Sequence, residues 1–511
     1  MTTIKTKVVQ VSAFAFILAV GVTIFFANRN YLFAFKPYYV QSYRYAAQIV
    51  LNSMTTAKAA SSESESRRAR SIPVITYHGI ISDQPDGSNV SLNSFTTQMI
   101  ALKKDGWQTV TMSEYYDFIY NSKDLPEKSF LLTFDDGRKD AYYPADPILR
   151  ALGYHAVMFV ITGESFKSPG TYYLSKEELV RMRDSGYWDL EVHTSDGHAA
   201  QKIDAIKYGH FYANKLWLED SHRLETDQEY EERIRIDLEK GKSDLKRELG
   251  IEATSIAIPF GDVATGETNY PGSKDVLLRL IRENYKLCFY QFWPGRGYGA
   301  NYSGSQELFS NRISVEPNWT LEDYFKIINQ GQAKTLPFSD SFDTNKGWLN
   351  AWGSSFYNGQ GLLLRPTNIL VSANTYLDGA WDWQNYQVSY KAILSEGTSL
   401  KQQLRRYDSN DYVSCTYGPE YVSLEIIRGG QNTILATATK TPGIDYKSGV
   451  DLSGRVMGAT AACSIGGVQV VSAPLPNESP KNGGIAFESW GKTAENYLEI
   501  SDLKVEELNG Y

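Results

Sequence analysis

Between residues 72 and 291, short β-branched apolar runs alternate with amphipathic segments of helical period, and this alternation constrains the chain more than any other feature. The runs at 129–134, 156–161, 190–193, 255–259 and 287–291 are nearly continuous in apolar residues, as strands buried on both faces are. Helical patterns at 92–105, 145–152, 175–185, 229–249 and 274–283 separate them. Strand and helix in strict turn imply an α/β fold with a parallel sheet, either doubly wound or closed as a barrel, and functional residues belong at the strand C-terminal ends. Beyond about residue 335 the pattern changes to short alternating runs at 386–394, 421–428 and 497–505, separated by Gly, Asn, Ser and Pro, which predicts an all-β sandwich. At 511 residues the chain is too long for one core, so two globular domains are expected.

Lys5 and Lys7 precede an apolar stretch at 8–27 that is long enough to cross a bilayer as a helix. It predicts a retained single-pass membrane anchor rather than a cleaved signal peptide, with the body of the chain on the extracytoplasmic side. Residues 31–54 suggest a juxtamembrane helix, and 55–70, ending in Ser-Ser-Glu-Ser-Glu-Ser-Arg-Arg-Ala-Arg, a solvated linker. The expected layout is therefore anchor 1–30, juxtamembrane segment and linker 31–70, catalytic domain 71–334 and sandwich 335–511. With a net charge of -8 and no basic block able to neutralise a run of phosphates, a nucleic-acid partner is excluded. Three cysteines make neither a disulfide scaffold nor a zinc finger, so any metal needs other ligands. Cys288 reads as structural; Cys415 and Cys463 read as two buried thiols, with a disulfide between them as the alternative.

The strand at 130–134 ends in Asp135-Asp136-Gly137. Successive residues leaving a strand point in different directions, so the two acids can do different work, although an Asp-Asp-Gly alone is an ordinary turn. The strand at 188–192 ends in His193-Thr194-Ser195-Asp196-Gly197-His198. On a helix that spacing would splay the imidazoles by about 140°, but around a turn both can face one point. Two histidines and a carboxylate with positions left open suit zinc or a similar divalent ion and a water. Neighbouring carboxylates beside histidines do not suit glycoside hydrolysis, whose two acids flank a bond at roughly 5 to 9.5 Å.

Thr133-Phe134-Asp135-Asp136-Gly137 and His193-Thr194 followed by His198 resemble the first two motifs of the polysaccharide deacetylase family, carbohydrate esterase family 4. The resemblance covers about residues 72–330 and implies a distorted (β/α) barrel. It implies Asp135 as general base and Asp136, His193 and His198 as ligands of one divalent ion, zinc first, with cobalt or nickel as alternatives. The third family motif falls on Ile258-Pro259-Phe260-Gly261, so Pro259 and Phe260 are expected to line the sugar site. Two departures stand out: Ala257 replaces the usual arginine that orients the base, and no histidine follows His222 to act as the late general acid. Both departures, with the five-residue histidine spacing, are similar to the biofilm-type poly-β-1,6-N-acetylglucosamine deacetylases. By that resemblance His78, in Thr76-Tyr77-His78-Gly79, takes the acid's place. Arg312, in Asn311-Arg312-Ile313-Ser314-Val315, either contacts the carboxylates or caps the fold.

An insertion at 201–228 carries His210, His222, Tyr208, Phe211, Tyr212 and Trp217; it either walls a groove, with Trp217 stacking on sugar, or packs its own aromatics. His155 reads as structural. In the last domain Trp348, Trp352, Trp381, Trp383 and Tyr386 look like a concanavalin-like jelly roll with a glycan-binding surface, the alternative being that they are core. The expected activity is metal-dependent removal of N-acetyl groups from an extracellular N-acetylglucosamine polymer. O-deacetylation, or glycan binding without turnover, are the alternatives. The expected partners are the polysaccharide, the membrane and a polysaccharide synthase or exporter.

Overall fold

A computed structural model describes residues 37–56, 68–81, 87–167, 170–264, 268–291, 301–330, 332–366, 371–439, 445–493 and 495–508. The expected anchor at 8–27 and most of the linker lie outside these residues, and among the described residues no helix is long and apolar enough to cross a membrane. The chain forms two compact units, 1–291 with 303–324, and 292–302 with 325–511.

In the first unit seven parallel strands close into a barrel: β1 (Val74–Tyr77), β2 (Ser129–Phe134), β3 (Ala156–Ile161), β4 (Trp188–Thr194), β5 (Ser255–Ala257), β6 (Leu287–Gln291) and β7 (Phe309–Ser314). Closure rests on β1, where Val74 has Leu131 of β2 on one side and Arg312 of β7 on the other. The sheet therefore has no free edge inside the ring, and the doubly wound alternative falls away. Every residue of β2 and β3 is buried, which is why these runs carry no polar alternation.

The strand β7 was not visible as a strand in the sequence. Its Phe-Ser-Asn-Arg-Ile-Ser mixes polar and apolar residues, yet Ser310 and Arg312 are buried. A polar interior strand carries the wrong pattern for a packed parallel sheet, and its polarity is explained by the site it serves.

Among the described residues, the longer helices that accompany the strands are α1 (Pro37–Thr56), α2 (Leu92–Lys104), α3 (Met112–Asn121), α4 (Lys139–Leu152), α5 (Lys176–Asp184), α6 (Asp227–Leu249) and α7 (Ser273–Asn284), with a single turn at Thr162–Ser165 and a further helix at Leu321–Gln330. Three of them start where the sequence says a helix should. Thr111/Glu114, Ser175/Glu178 and Thr226/Glu229 each form a capping box, the hydroxyl and the carboxylate satisfying each other's backbone donors. Helix α4 begins at Lys139, ahead of the expected 145, and runs through Pro144 and Pro147. Helix α1 matches the expected juxtamembrane helix in position and lays Tyr39 on Tyr143 of α4, ring centroids 5.7 Å apart.

The second unit is built of two antiparallel sheets. One runs in the order Ser354–Tyr357, Leu362–Arg365, Leu498–Glu507, Tyr386–Leu394, Val450–Met457, Thr460–Ile465, Val468–Pro474, with Phe338–Asp340 also on Leu498–Glu507. The other runs Trp348–Trp352, Ser372–Leu377, Gly484–Trp490, Ser399–Arg406, Tyr412–Tyr417, Tyr421–Arg428, Gln431–Thr439. Residues from both sheets, among them Leu400, Leu424, Phe487, Val388 and Ile500, form one apolar cluster.

Two expectations are corrected here. Trp348, Trp383 and Tyr386 are not an exposed glycan surface but buried members of this cluster, their size filling the space between the sheets. Cys415 and Cys463 are not thiols: a disulfide joins them, because their strands Tyr412–Tyr417 and Thr460–Ile465 belong to opposite sheets and meet through the core. Cys288 is a buried free thiol, as expected. The bridge closes a loop with a separation of 48 residues, so reduction should cost the second unit about 2–4 kcal/mol. Denaturant unfolding with and without reductant checks this, and superimposable transitions would contradict it.

Candidate active site

The functional residues gather at the C-terminal mouth of the barrel, because each follows or ends a strand. His78 follows β1, Asp135 and Asp136 follow β2, His193 lies near the end of β4, Gln291 ends β6 and Arg312 lies in β7. The chain turns sharply after β2, with Asp136 at φ 72° and Gly137 at φ 66°. Aspartate tolerates this left-handed region better than most residues, and the kink aims the two neighbouring carboxylates apart.

Asp136 meets the histidines. Its Oδ1 lies 3.3 Å from His193 Nε2 and 3.1 Å from His198 Nε2, and the two imidazole centroids are 5.2 Å apart. The turn after β4 therefore converges both rings on one carboxylate, as the spacing suggested. On its far side His193 Nδ1 is 2.7 Å from the carbonyl oxygen of Ala257. A carbonyl only accepts, so Nδ1 carries the proton and the Nε2 of a neutral His193 is a lone pair aimed at a carboxylate. Asp136 Oδ1 is itself buried with no hydrogen-bond partner among the described residues. Like-signed lone pairs at this distance need a proton or a cation between them. Without a cation, burial opposes the charged form of His193 but Asp135 and Asp136 outweigh it and raise its pKa; burial likewise opposes ionised Asp136, and His193 and His198 outweigh it, holding it well below the usual range. Among the described residues these three are the one His/Cys/Asp/Glu group whose ligand atoms all lie within 4.8 Å of one another, and the donor set fits a divalent ion.

Asp135 has a different partner. Arg312 Nη1 and Nη2 donate to its Oδ1 and Oδ2 at 2.7 and 2.8 Å, a bidentate pair in which the side chains are 0% and 1% exposed. Burial pushes the Asp135 carboxyl up, and Arg312, with help from His193 and His78, brings it below its ordinary value. Of the two roles open for Arg312, the structure shows contact with the carboxylates. It also supplies what Ala257 cannot, since that position faces His193 only through its carbonyl.

His78 Nε2 lies 3.9 Å from Asp135 Oδ2 and 3.2 Å from Gln291 Nε2. The Gln291 amide also reaches Asp135 Oδ2 at 3.5 Å, so it touches both side chains. Burial lowers the His78 pKa against the pull of Asp135 and Asp136, which makes its charged form a readier proton donor. Gln291 was missed in the sequence, although its place at the end of β6 was a signal.

Phe260, at φ 61°, sets its ring 4.9 Å from that of His198, and Pro259 beside it is buried. His210 from the insertion stacks on Phe260 at 4.4 Å with planes 8° apart and bonds Asp262 at 2.6 Å. His210 of the insertion thus packs on Phe260 beside the histidine cluster, while Phe211 and Tyr212 are buried. Trp217 is half-buried in a small hairpin, its ring N–H donating to Glu219 at 3.3 Å, and His222 sits at an exposed left-handed position. His155 pairs with Asp189 at 2.9 Å, away from this cluster.

The histidine turn is held from outside the barrel by Asp237 of α6. Its carboxylate accepts from Thr194 Oγ1 at 2.7 Å, from the N–H of Asp196 at 2.6 Å, from the N–H of Ser195 at 3.3 Å and from the Tyr212 hydroxyl. Gly241, one turn on, lets α6 come close: a Cβ there would stand 2.8 Å from Val192 Cγ1. Asp237 shares the buried stripe of α6 with Tyr230, Ile234, Leu238 and Leu245, and a carboxylate in an apolar stripe was the available sign. Asp237→Ala should leave two N–H groups unmet and weaken divalent-metal affinity by about 10–100-fold. Metal titration of the folded variant checks this, and unchanged affinity would contradict it.

Residues 122–270 match the polysaccharide deacetylase family model. The chain is 26% identical over 277 residues to the poly-beta-1,6-N-acetyl-D-glucosamine N-deacetylase of Escherichia coli (strain K12), which covers 51% of this chain and 39% of that protein. It is 30% identical over 145 residues to the protein of the same name from Staphylococcus aureus (strain MRSA252), covering 28% and 49%. The chain thus spans less than half the length of either relative. Among solved structures, the de-N-acetylase from Aggregatibacter actinomycetemcomitans matches with a TM-score of 0.43 and 18% identity, over 50% of this chain and 99% of that one. The match at 122–270 takes in Asp135, Asp136, His193, His198, Pro259 and Phe260, so the similarity to polysaccharide deacetylases extends to the residues of this site.

Proposed function

We propose that this domain hydrolyses N-acetyl groups on an extracellular polymer of N-acetylglucosamine, releasing acetate and leaving free amines. The observation that carries the reading is the division between two adjacent carboxylates: Asp136 faces two imidazole nitrogens, while Asp135 is ionised by Arg312 and stays out of that set. A divalent ion held by Asp136, His193 and His198, zinc being the first choice, would lower the pKa of water towards neutrality and polarise an acetamide carbonyl.

In this reading Asp135 takes the proton of the attacking water, and the bidentate contact with Arg312 supports an oriented, ionised carboxylate. His78, on the other side of Asp135, is the proton donor for the departing amine, which is a poor leaving group until protonated. Gln291 holds His78 and Asp135 in register through its amide. Phe260 and His210 form the wall against which a sugar ring rests. Two relatives named as N-deacetylases of a β-1,6-linked polymer support the amide over the ester as substrate. Removal of O-acetyl groups is the second reading, since the same site would cleave the easier bond. The apolar stretch at 8–27 supports a membrane-anchored enzyme working outside the cytoplasm beside a polysaccharide synthase or exporter.

The test is acetate release by the metal-loaded chain from β-1,6-linked and β-1,4-linked N-acetylglucosamine oligomers and from acetylxylan. Release should be fastest from the β-1,6-linked oligomers and fall by about 10²–10⁴-fold in Asp135→Asn and in His78→Gln. No release from the N-acetylated oligomers, or undiminished release by Asp135→Asn, would overturn the reading.

A further inference from the structure

The seven-stranded sheet of the second unit has one face in the core and one turned away from it. Leu400, Leu404, Val413, Cys415 and Phe487 belong to the apolar cluster, so the two-residue alternation of each strand puts Gln403, Glu488 and Trp490 on the other face. Asn374 joins them, being directly across from Glu488. A sheet face turned away from a core is expected to carry mobile charged residues. Beside the ion pair of Lys401 and Glu425, at 3.1 Å, this one carries a fixed polar network.

Glu488 is its centre. The side chain is 3% exposed, forms no ion pair among the described residues, and takes hydrogen bonds from Asn374 Nδ2 at 3.1 Å, from Gln403 Nε2 at 2.9 Å and from the indole N–H of Trp490. A buried carboxylate with neutral partners alone costs stability, so it is retained for what it positions. It positions Trp490, whose ring is 45% exposed yet is tied at its one polar atom. Trp352, across from Asn374, is tied in the same way, its N–H donating to Ser372 Oγ at 3.0 Å; Ser372 is in turn across from Trp490. Two anchored indoles thus share one face, separated by a single strand.

The same network leaves acceptors unmet. The nitrogens of the Asn374 and Gln403 amides are committed to Glu488, and flipping either amide would set oxygen against carboxylate. Asn374 Oδ1 and Gln403 Oε1 therefore point elsewhere, buried and without a partner among the described residues, in side chains about 1% exposed. Rigid aromatic planes suit the apolar face of a pyranose, and the buried amides beneath them hold that part of the sheet in one shape. We propose that this face is a carbohydrate-binding site distinct from the barrel mouth, which takes a neutral, hydroxyl-rich polysaccharide through Trp352 and Trp490. The choice of polymer rests on the deacetylase reading, so that the second unit holds the chain that the barrel trims.

The experiment uses the full chain carrying Asp135→Asn, titrated calorimetrically with a β-1,6-linked N-acetylglucosamine hexamer. Two binding events are expected, and Trp352→Ala with Trp490→Ala should remove one of them, weakening affinity there by about tenfold or more. Trp490→Tyr, which keeps a ring and a polar tip, should recover part of the loss and covers the case in which the double variant unfolds. With Asp135 intact, the tryptophan variants should release acetate from the disaccharide at the wild-type rate. Identical isotherms with and without the two tryptophans would overturn the proposal. Binding at the tryptophans without acetate release by the wild-type chain would overturn the deacetylase reading and leave this site standing.

Discussion

A carboxylate oxygen within 3.3 Å of two imidazole nitrogens is the constraint around which the barrel mouth is arranged. Because Ala257 holds the proton of His193 on Nδ1, the other nitrogen can face Asp136 only if something positive lies between them. The rest follows from supplying or balancing that charge. Asp136 is turned into place by a left-handed backbone, the turn carrying both histidines is clamped by Asp237, and Asp135 is drawn away by Arg312. Arg312 is fully buried and among the described residues pairs its charge only with Asp135, so protonating that acid would strand a guanidinium in the barrel. The pair therefore favours an ionised base at neutral pH, and this contribution is lost as pH falls through the lowered pKa of Asp135.

Much of this was legible because chemistry and topology write on the same residues. A parallel strand must end before its functional side chains begin, so Asp135-Asp136-Gly137 and His193 through His198 announce both the strand ends and the site. Barrel closure was not legible. It depends on β7, whose Asn311 and Arg312 disguise a strand as a loop, and the residue that hides the strand is the one that completes the site. Asp237 and Gln291 were missed for a related reason: Thr194 lies 43 residues from the one and His78 213 residues from the other, so the local signs, an acid in an apolar stripe and a strand end, did not name their partners. The relation of Arg312 to Ala257 shows the limit of motif reading, since a function absent from one position is carried by a strand two places round the ring.

In the second unit the sequence marked Trp352 together with core members of the same residue type, and left out Trp490. Large aromatics predicted both a sandwich and a surface, and periodicity alone could not sort them. Trp348 and Trp383 fill the core, whereas Trp490, in a strand with no other tryptophan, is half exposed and held by a buried acid. Burial of Glu488 is what separates a placed ring from a merely exposed one.

The central claim, that Asp136, His193 and His198 hold one divalent ion while Asp135 stays outside the set, is tested most directly by metal content. Protein equilibrated with zinc and freed of excess should retain one ion per chain, keep it in Asp135→Asn, and lose it in His193→Ala and His198→Ala. An ion retained in both histidine variants, or lost in Asp135→Asn with the fold intact, would contradict the account.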